Sequence, residues 1–242
     1  MKKNSSRFKT PIKSNKLFLH SWSALEEYLR AAPHLILSLS CTEKDKKRLQ
    51  DLLSAYGHVM PIQASSQGFS AEIRVLKNTE IELESDLVRE TAPDKILILD
   101  HLSDTRNFGA IVRSAAYFGV RHIVIARNRQ ASVTQGTIDA CQGAFAECKL
   151  YEVTNLVRTL KKLKSLDFWL VGGDLDGQPL DNWQSFDKTC LVVGSEDKGM
   201  GESVKKLLDL RVKIPASSQI DSLNVSVATG ILLHELVNHR SN

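Results

Sequence analysis

The sequence predicts an α/β fold: a C-terminal domain around a mostly parallel sheet, preceded by a small α/β domain. Three observations predict it. Ile96-Leu97-Ile98-Leu99 is wholly apolar, as a strand buried on both faces of a parallel sheet must be. From there to the C-terminus, short apolar runs alternate with segments of helical periodicity. Before Val88 the segments are short and mixed, and no constellation of side chains there carries chemistry.

In order, residues 1–15 are polar, without periodicity, and read as a disordered basic tail. A small domain over 16–78 follows. Ser23 to Leu29 reads as a helix with Ser23 as N-cap and a Glu three residues on. Leu35 to Leu39 is a short apolar strand. Lys44 to Tyr56 is an amphipathic helix with Leu49, Leu52 and Leu53 on one face and Gly57 as its stop. Val59 to Ile62 and Ala71 to Val75 are further strands. The charged stretch ending at Pro93 places a linker at 79–93, and the large domain covers 94–242. There the strand at 96–99 leads to a helix from Gly109 to Phe118, with Ala110, Ile111, Ala115 and Phe118 spaced for one buried face, and Gly119 as its end. His122 to Ile125 completes a βαβ unit. A helix over Leu156 to Leu163, a strand over Phe168 to Val171 and a strand over Leu191 to Val193 continue the alternation. A helix over Glu202 to Leu208, a strand over Arg211 to Ile214 and a final helix from Asn224 to Asn238 complete it.

Length and composition set the bounds. The chain has 242 residues, 42% hydrophobic and 25% charged, ordinary for a soluble globular protein. No apolar stretch is long enough to span a bilayer and the basic N-terminus lacks a secretory pattern, so a cytoplasmic location is expected. Cys41, Cys141, Cys148 and Cys190 form no Cys-x-x-Cys pair, and the histidines are scattered. No metal is expected, and the cysteines read as small buried thiols. Lys2, Lys3, Arg7, Lys9, Lys13 and Lys16 stand in the first 16 residues without an acidic partner, on a body close to neutral. Such an arm suits phosphate contacts, and equally suits a solvated leader.

Ligands of such sheets bind where strands end and loops meet, and three of these loops are rich in functional groups. The first is Asp104-Thr105-Arg106-Asn107-Phe108-Gly109 through Arg113. Asn107 stands where an N-cap belongs, Gly109 permits a tight turn into the helix, and Arg113 taken alone reads as a solvated surface residue. The second is Gly194-Ser195-Glu196-Asp197-Lys198-Gly199-Met200-Gly201. It lacks the order of a triphosphate-binding loop, and its carboxylates would repel phosphate, so a neutral or cationic ligand suits it better. The third runs from Ile214 to Ser226, where Ser222 could cap the last helix and Leu223 hints at a pocket wall. Gly230, in mid-helix, costs about 1 kcal/mol relative to Ala, which points to close packing there.

Together and in this order, Asn107-Phe108-Gly109 through Arg113, Gly194-Ser195-Glu196 through Gly199, and Ser222-Leu223-Asn224-Val225-Ser226 resemble the three motifs of the SpoU (TrmH) family of RNA 2′-O-ribose methyltransferases, in the SPOUT superfamily. The resemblance covers about residues 94–239. Ala216 and Ser218 stand where the family usually has Met and Gly. Residues 17–78, notably Ser66-Gln67-Gly68-Phe69, look like the small ribosomal-protein-like substrate-binding domain found ahead of many members.

The resemblance implies a trefoil-knotted methyltransferase domain, an obligate homodimer, and S-adenosylmethionine as cofactor. It gives cofactor contacts to Gly194, Ser195, Gly199, Ile214 and Leu223, and a catalytic set of Asn107, Arg113, Glu196, Ser222 and Asn224. RNA phosphates are expected at Arg106, Arg127 and Arg129. The substrate implied is large-subunit ribosomal RNA, with transfer RNA as the alternative. A catalytically inactive RNA-binding protein of the same fold is a further alternative, against which the full catalytic set speaks. A dinucleotide enzyme would need Gly-x-Gly-x-x-Gly after the first strand, and a serine hydrolase its Gly-x-Ser-x-Gly elbow. Neither is present.

Overall fold

The computed structural model describes residues 16–128, 131–183, 186–217 and 222–238. The expected tail, Arg129 and Ser218 lie outside the described residues. The chain opens with β1 (Leu17–Leu19), α1 (Trp22–Ala31), β2 (Ile36–Cys41), α2 (Glu43–Ala55), β3 (Ile62–Ala64) and β4 (Ser70–Ile73). These build a sheet of order β1-β4-β2-β3, in which β4 runs antiparallel to both its neighbours. Helix α1 buries Ala24, Leu25, Tyr28 and Leu29, the pairs one helical turn apart that sequence periodicity marks. Its N-cap position is Ser21 rather than Ser23, and β3 begins at Ile62, leaving Val59 on the surface.

The large sheet holds β5 (Lys77–Thr79), β6 (Lys95–Leu99), β7 (His122–Ala126), β8 (Lys149–Val153), β9 (Trp169–Pro179), β10 (Thr189–Val193) and β11 (Leu210–Lys213). Its order is β11-β9-β10-β6-β7-β8-β5, with every pairing parallel. The apolar run at its centre serves two cores in alternation. Leu97 and Leu99 join the core beneath α4 (Thr105–Tyr117), α5 (Gln135–Cys141) and α8 (Val225–Asn238). Ile96 and Ile98 face the core beneath α3 (Glu80–Leu87), α6 (Leu156–Lys164) and α7 (Glu202–Lys205). Each such buried side chain contributes roughly 1.5–3 kcal/mol. Val193 pairs with Leu99, and Leu99 with Ile125, so β10, β6 and β7 end level. The loops that follow them therefore emerge side by side.

One connection differs from expectation. The stretch expected as a linker holds β5 and α3. Thr79 and Glu82 form a reciprocal capping box, and Leu83 and Leu87 enter the second core. The Asp86 carboxylate accepts from Tyr151 Oη at 2.6 Å and Lys149 Nζ at 2.9 Å, tying α3 to β8. Between α5 and β1, the small sheet is fastened to the large domain. Gln135 Oε1 accepts from the Phe18 amide at 3.0 Å, and Gln135 Nε2 donates to the Phe18 carbonyl at 2.7 Å. A side-chain amide thus stands in for a neighbouring strand. Gly143, at φ 91°, lies so close to α1 that a Cβ would sit 2.9 Å from the Ala24 Cα and carbonyl oxygen.

Candidate active site

The first loop contradicts its expected helix start. Helix α4 begins at Thr105, and its N-cap is Asp104, whose carboxylate accepts from the Arg106 amide at 2.7 Å and the Asn107 amide at 2.9 Å. Asn107 is therefore not a cap, and its side chain is free for another role. Gly109 is not a turn residue either. A Cβ there would lie 2.4 Å from the Thr137 carbonyl oxygen, so its small size lets α4 cross α5 at close range. The exposed Arg113 has no hydrogen-bond or ionic partner among the described residues, and Arg106 and Arg127 are exposed too.

The second loop closes as a tight hairpin. The Ser195 amide donates to the Gly199 carbonyl at 3.1 Å, the Gly199 amide donates back at 2.9 Å, and Gly199 takes φ 64°. Ser195 Oγ accepts from the Lys198 amide at 3.2 Å. Gly194 is buried under this hairpin, where a Cβ would meet the Gly199 and Met200 backbone at 2.2–2.3 Å. Glu196 is left exposed at the tip.

The third loop reaches both others. Asn224 Nδ2 donates to Asn107 Oδ1 at 3.2 Å and lies 3.4 Å from Glu196 Oε2. Residues 117 and 28 positions away thus meet on one amide. The other end of that amide caps α8: Asn224 Oδ1 accepts from the Ser226 amide at 3.0 Å and from Ser226 Oγ at 2.6 Å. The cap expected of Ser222 is supplied by Asn224 instead, and Ser222 is exposed. Leu223 beside it is 45% exposed, a large apolar side chain without cover, and Ile214 is half-buried where β11 ends.

Two residues that sequence reasoning passed over border this region. Asp100, directly after β6, is only 2% exposed. Its Oδ2 accepts from the Gly201 amide at 2.8 Å, and its Oδ1 lies 2.6 Å from His101 Nδ1. The available signal was an acidic residue ending a wholly apolar strand, where an uncompensated charge is costly.

Burial pushes the thiols of Cys41, Cys141, Cys148 and Cys190 up, that of Cys148 to about 12, which leaves them protonated and poor nucleophiles. Among the described residues no group of three His, Cys, Asp or Glu is placed to hold a metal ion. No helix of the described residues is long and apolar enough to cross a membrane.

A parallel sheet with polar loops after β6, β10 and β11, and the last helix returned onto the first helix of the βαβ unit, is a fold that matches methyltransferase structures of the SPOUT class. The chain belongs to the SpoU rRNA Methylase family, whose model matches residues 94–234. An uncharacterised tRNA/rRNA methyltransferase of Archaeoglobus fulgidus is 36% identical, over 80% of this chain and 87% of the relative. The 23S rRNA (guanosine-2′-O-)-methyltransferase RlmB of Nitrosomonas europaea is 36% identical, over 72% of this chain and 67% of the relative. Among solved structures, the SpoU methyltransferase AviRb of Streptomyces viridochromogenes, in complex with AdoMet, has a similar fold. Its TM-score is 0.74 at 19% identity, covering 92% of this chain and 89% of that one.

Proposed function

We propose that the protein transfers a methyl group from S-adenosylmethionine to a ribose 2′-hydroxyl of structured RNA, with large-subunit ribosomal RNA favoured over transfer RNA. The observation that carries this reading is the Asn224 amide, which gathers Asn107 and Glu196 from the other two loops into one polar cluster. The residues present suit the cofactor. The Gly194–Gly201 hairpin offers backbone groups and the Ser195 hydroxyl, Leu223 offers an uncovered apolar wall, and Glu196 places a carboxylate nearby for a cation. Gly194, Ser195, Gly199, Ile214 and Leu223 would hold it. Bound there, S-adenosylmethionine supplies an electrophilic methyl group on a positively charged sulfur.

The chain's own residues then act on the acceptor. Asn107, Ser222 and Asn224 orient the hydroxyl and its neighbouring phosphate, while Glu196 fixes the Asn224 amide. Arg113 supports the negative charge that grows on the ribose oxygen. A guanidinium keeps its proton at any ordinary pH, so electrostatic support rather than proton abstraction is its role. Arg106 and Arg127 at the same edge contact RNA phosphates, and the small N-terminal domain adds RNA-binding surface.

The protein is read as a cytoplasmic homodimer. Tyr117 on α4 and Val227 on α8 are 84% and 51% exposed, apolar area that a second copy would cover. The trefoil knot is part of the same reading: α8 returns across β9 and β10 to α4, although residues 218–221 ahead of it lie outside the described residues.

Arg113→Ala tests the assignment. Methyl transfer is expected to fall at least about a hundredfold, while calorimetry with S-adenosylhomocysteine shows unchanged affinity. Wild-type turnover in that variant would remove Arg113 from the mechanism.

A further inference from the structure

Beside the polar cluster lies a cleft of about 900 Å³. His101, Ser103 and Ala131 line it together with residues of the second loop, Ser195, Asp197, Lys198 and Gly199 among them. Of the residues given to the cofactor, Ser195 and Gly199 line it while Gly194, Ile214 and Leu223 do not, and neither do Asn107 and Asn224, so the cleft adjoins the proposed transfer centre and shares the second loop with it.

His101 is held there by unusual means. Its backbone takes φ 61°, a left-handed conformation that costs a non-glycine residue roughly a kcal/mol or more and that clusters at ligand sites. Its Nδ1 lies 2.6 Å from Oδ1 of the buried Asp100 carboxylate, which turns that edge of the ring away from the cleft. With the Nδ1 proton toward that carboxylate, the neutral ring presents its lone pair at Nε2. Nε2 has no partner among the described residues, and the ring is 38% exposed along the cleft. Asp100 also accepts from the Gly201 amide, tying this strand end to the end of the second loop. A Cβ on Gly201 would lie 3.5 Å from Asp100 Oδ2 and 3.9 Å from the His101 ring, so the three form one packed unit.

We propose that this cleft receives a nucleotide of the RNA at or next to the methylated one, and that His101 Nε2 accepts a hydrogen bond from it. The inference rests on the RNA methyl-transfer reading and adds a subsite to it. A nucleotide offers the matching chemistry: base N–H and ribose O–H donors for Nε2, Asp197 and the serine hydroxyls, and a phosphate for Lys198. Asp100 acts through His101 as a positioning residue.

The test uses His101→Asn, because Asn tolerates the left-handed conformation and keeps the chain path. Three readouts are taken: KM for unmodified ribosomal and transfer RNA transcripts, affinity for S-adenosylhomocysteine, and the ¹⁵N imidazole signals of wild-type protein saturated with S-adenosylhomocysteine as each RNA is added. The inference expects KM for RNA to rise about tenfold, the loss of one hydrogen bond, with S-adenosylhomocysteine affinity unchanged. It also expects the His101 Nε2 signal to move on adding RNA. A signal that moves with S-adenosylhomocysteine alone, together with weakened binding of it in the variant, would give the cleft to the cofactor and overturn the proposal. Unchanged KM and an unmoved signal would overturn it as well. If the wild-type protein methylates neither RNA, the underlying reading fails, while the RNA titration of the His101 signal still decides whether the cleft takes a nucleotide.

Discussion

The seam between the small sheet and α5 and the open edge above β6 and β10 are built on opposite principles. At the seam space is filled. Gln135 satisfies both backbone groups of Phe18, Gly143 has no room for a Cβ, and Tyr28 is fully buried, its hydroxyl without a hydrogen-bond partner among the described residues. The tie from Asp86 to Lys149 and Tyr151 fastens α3. At the open edge, Arg113, Glu196, Ser222 and Asn224 are all exposed, and Asn224 is what links the third loop to the other two. Stability lies in the closed region; at the open edge donors and charges stand ready for partners that RNA and cofactor bring. Sites of this kind draw on the least protected parts of a fold.

The comparison breaks most visibly at Gly143. Gly143→Val puts a branched side chain at φ 91° and 2.9 Å from the Ala24 backbone, and is expected to cost about 3 kcal/mol or more in chemical denaturation. A loss below 1 kcal/mol would mean the seam is not packed in solution.

Asp86→Ala is next, at about 2–3 kcal/mol near neutral pH, since a carboxylate holding two donors is lost. Burial pushes the Asp86 carboxyl up, but the hydrogen bonds from Lys149 and Tyr151, with the Lys149 and Arg89 charges, outweigh it and hold it below the usual carboxylate range. A depressed folded-state value stabilises above the unfolded value of about 4 and ceases to do so as pH falls through the folded one. The gap between wild type and variant should therefore narrow as pH drops below about 4. A gap that persists in acid would show that packing, not charge, holds α3.

Gln135→Ala should cost about 1–2 kcal/mol for two neutral hydrogen bonds, and hydrogen exchange at the Phe18 amide should quicken. Unaltered exchange there would free β1 from dependence on α5. The smallest effect sharpens the open side. Gly230 was expected to be small for close packing, but a Cβ there meets only Ser114 Oγ at 3.8 Å. Gly230→Ala should thus stabilise the isolated chain by about 0.5–1 kcal/mol. If it instead weakens association in sedimentation, a second copy occupies that face.

Legibility followed the same division. The central strands were plain because Ile96 to Leu99 and Leu191 to Val193 are apolar on both faces, whatever their neighbours. Edge strand β5, Lys-Asn-Thr, has no apolar residue and exists because β8 offers it a partner. β8 itself carries Lys149 and Glu152 among its apolar residues, which hides it from a search for apolar runs. Helix α4 has two capping residue types three positions apart, and the bonds from the Arg106 and Asn107 amides decide for Asp104. At the site, the three motifs were readable by resemblance, but the bridging role of Asn224 depends on the return of α8 to α4. The pairing of Asp100 with His101 was invisible because a histidine after a strand has no distinguishing spacing.

The most direct test of the central claim is transfer of isotopically labelled methyl from S-adenosylmethionine to unmodified ribosomal and transfer RNA, followed by mass spectrometry of the released nucleosides. A 2′-O-methylated nucleoside from a single site in one RNA class, lost in Arg113→Ala, is expected. Label on a base, or 2′-O-methylation undiminished in that variant, would contradict it.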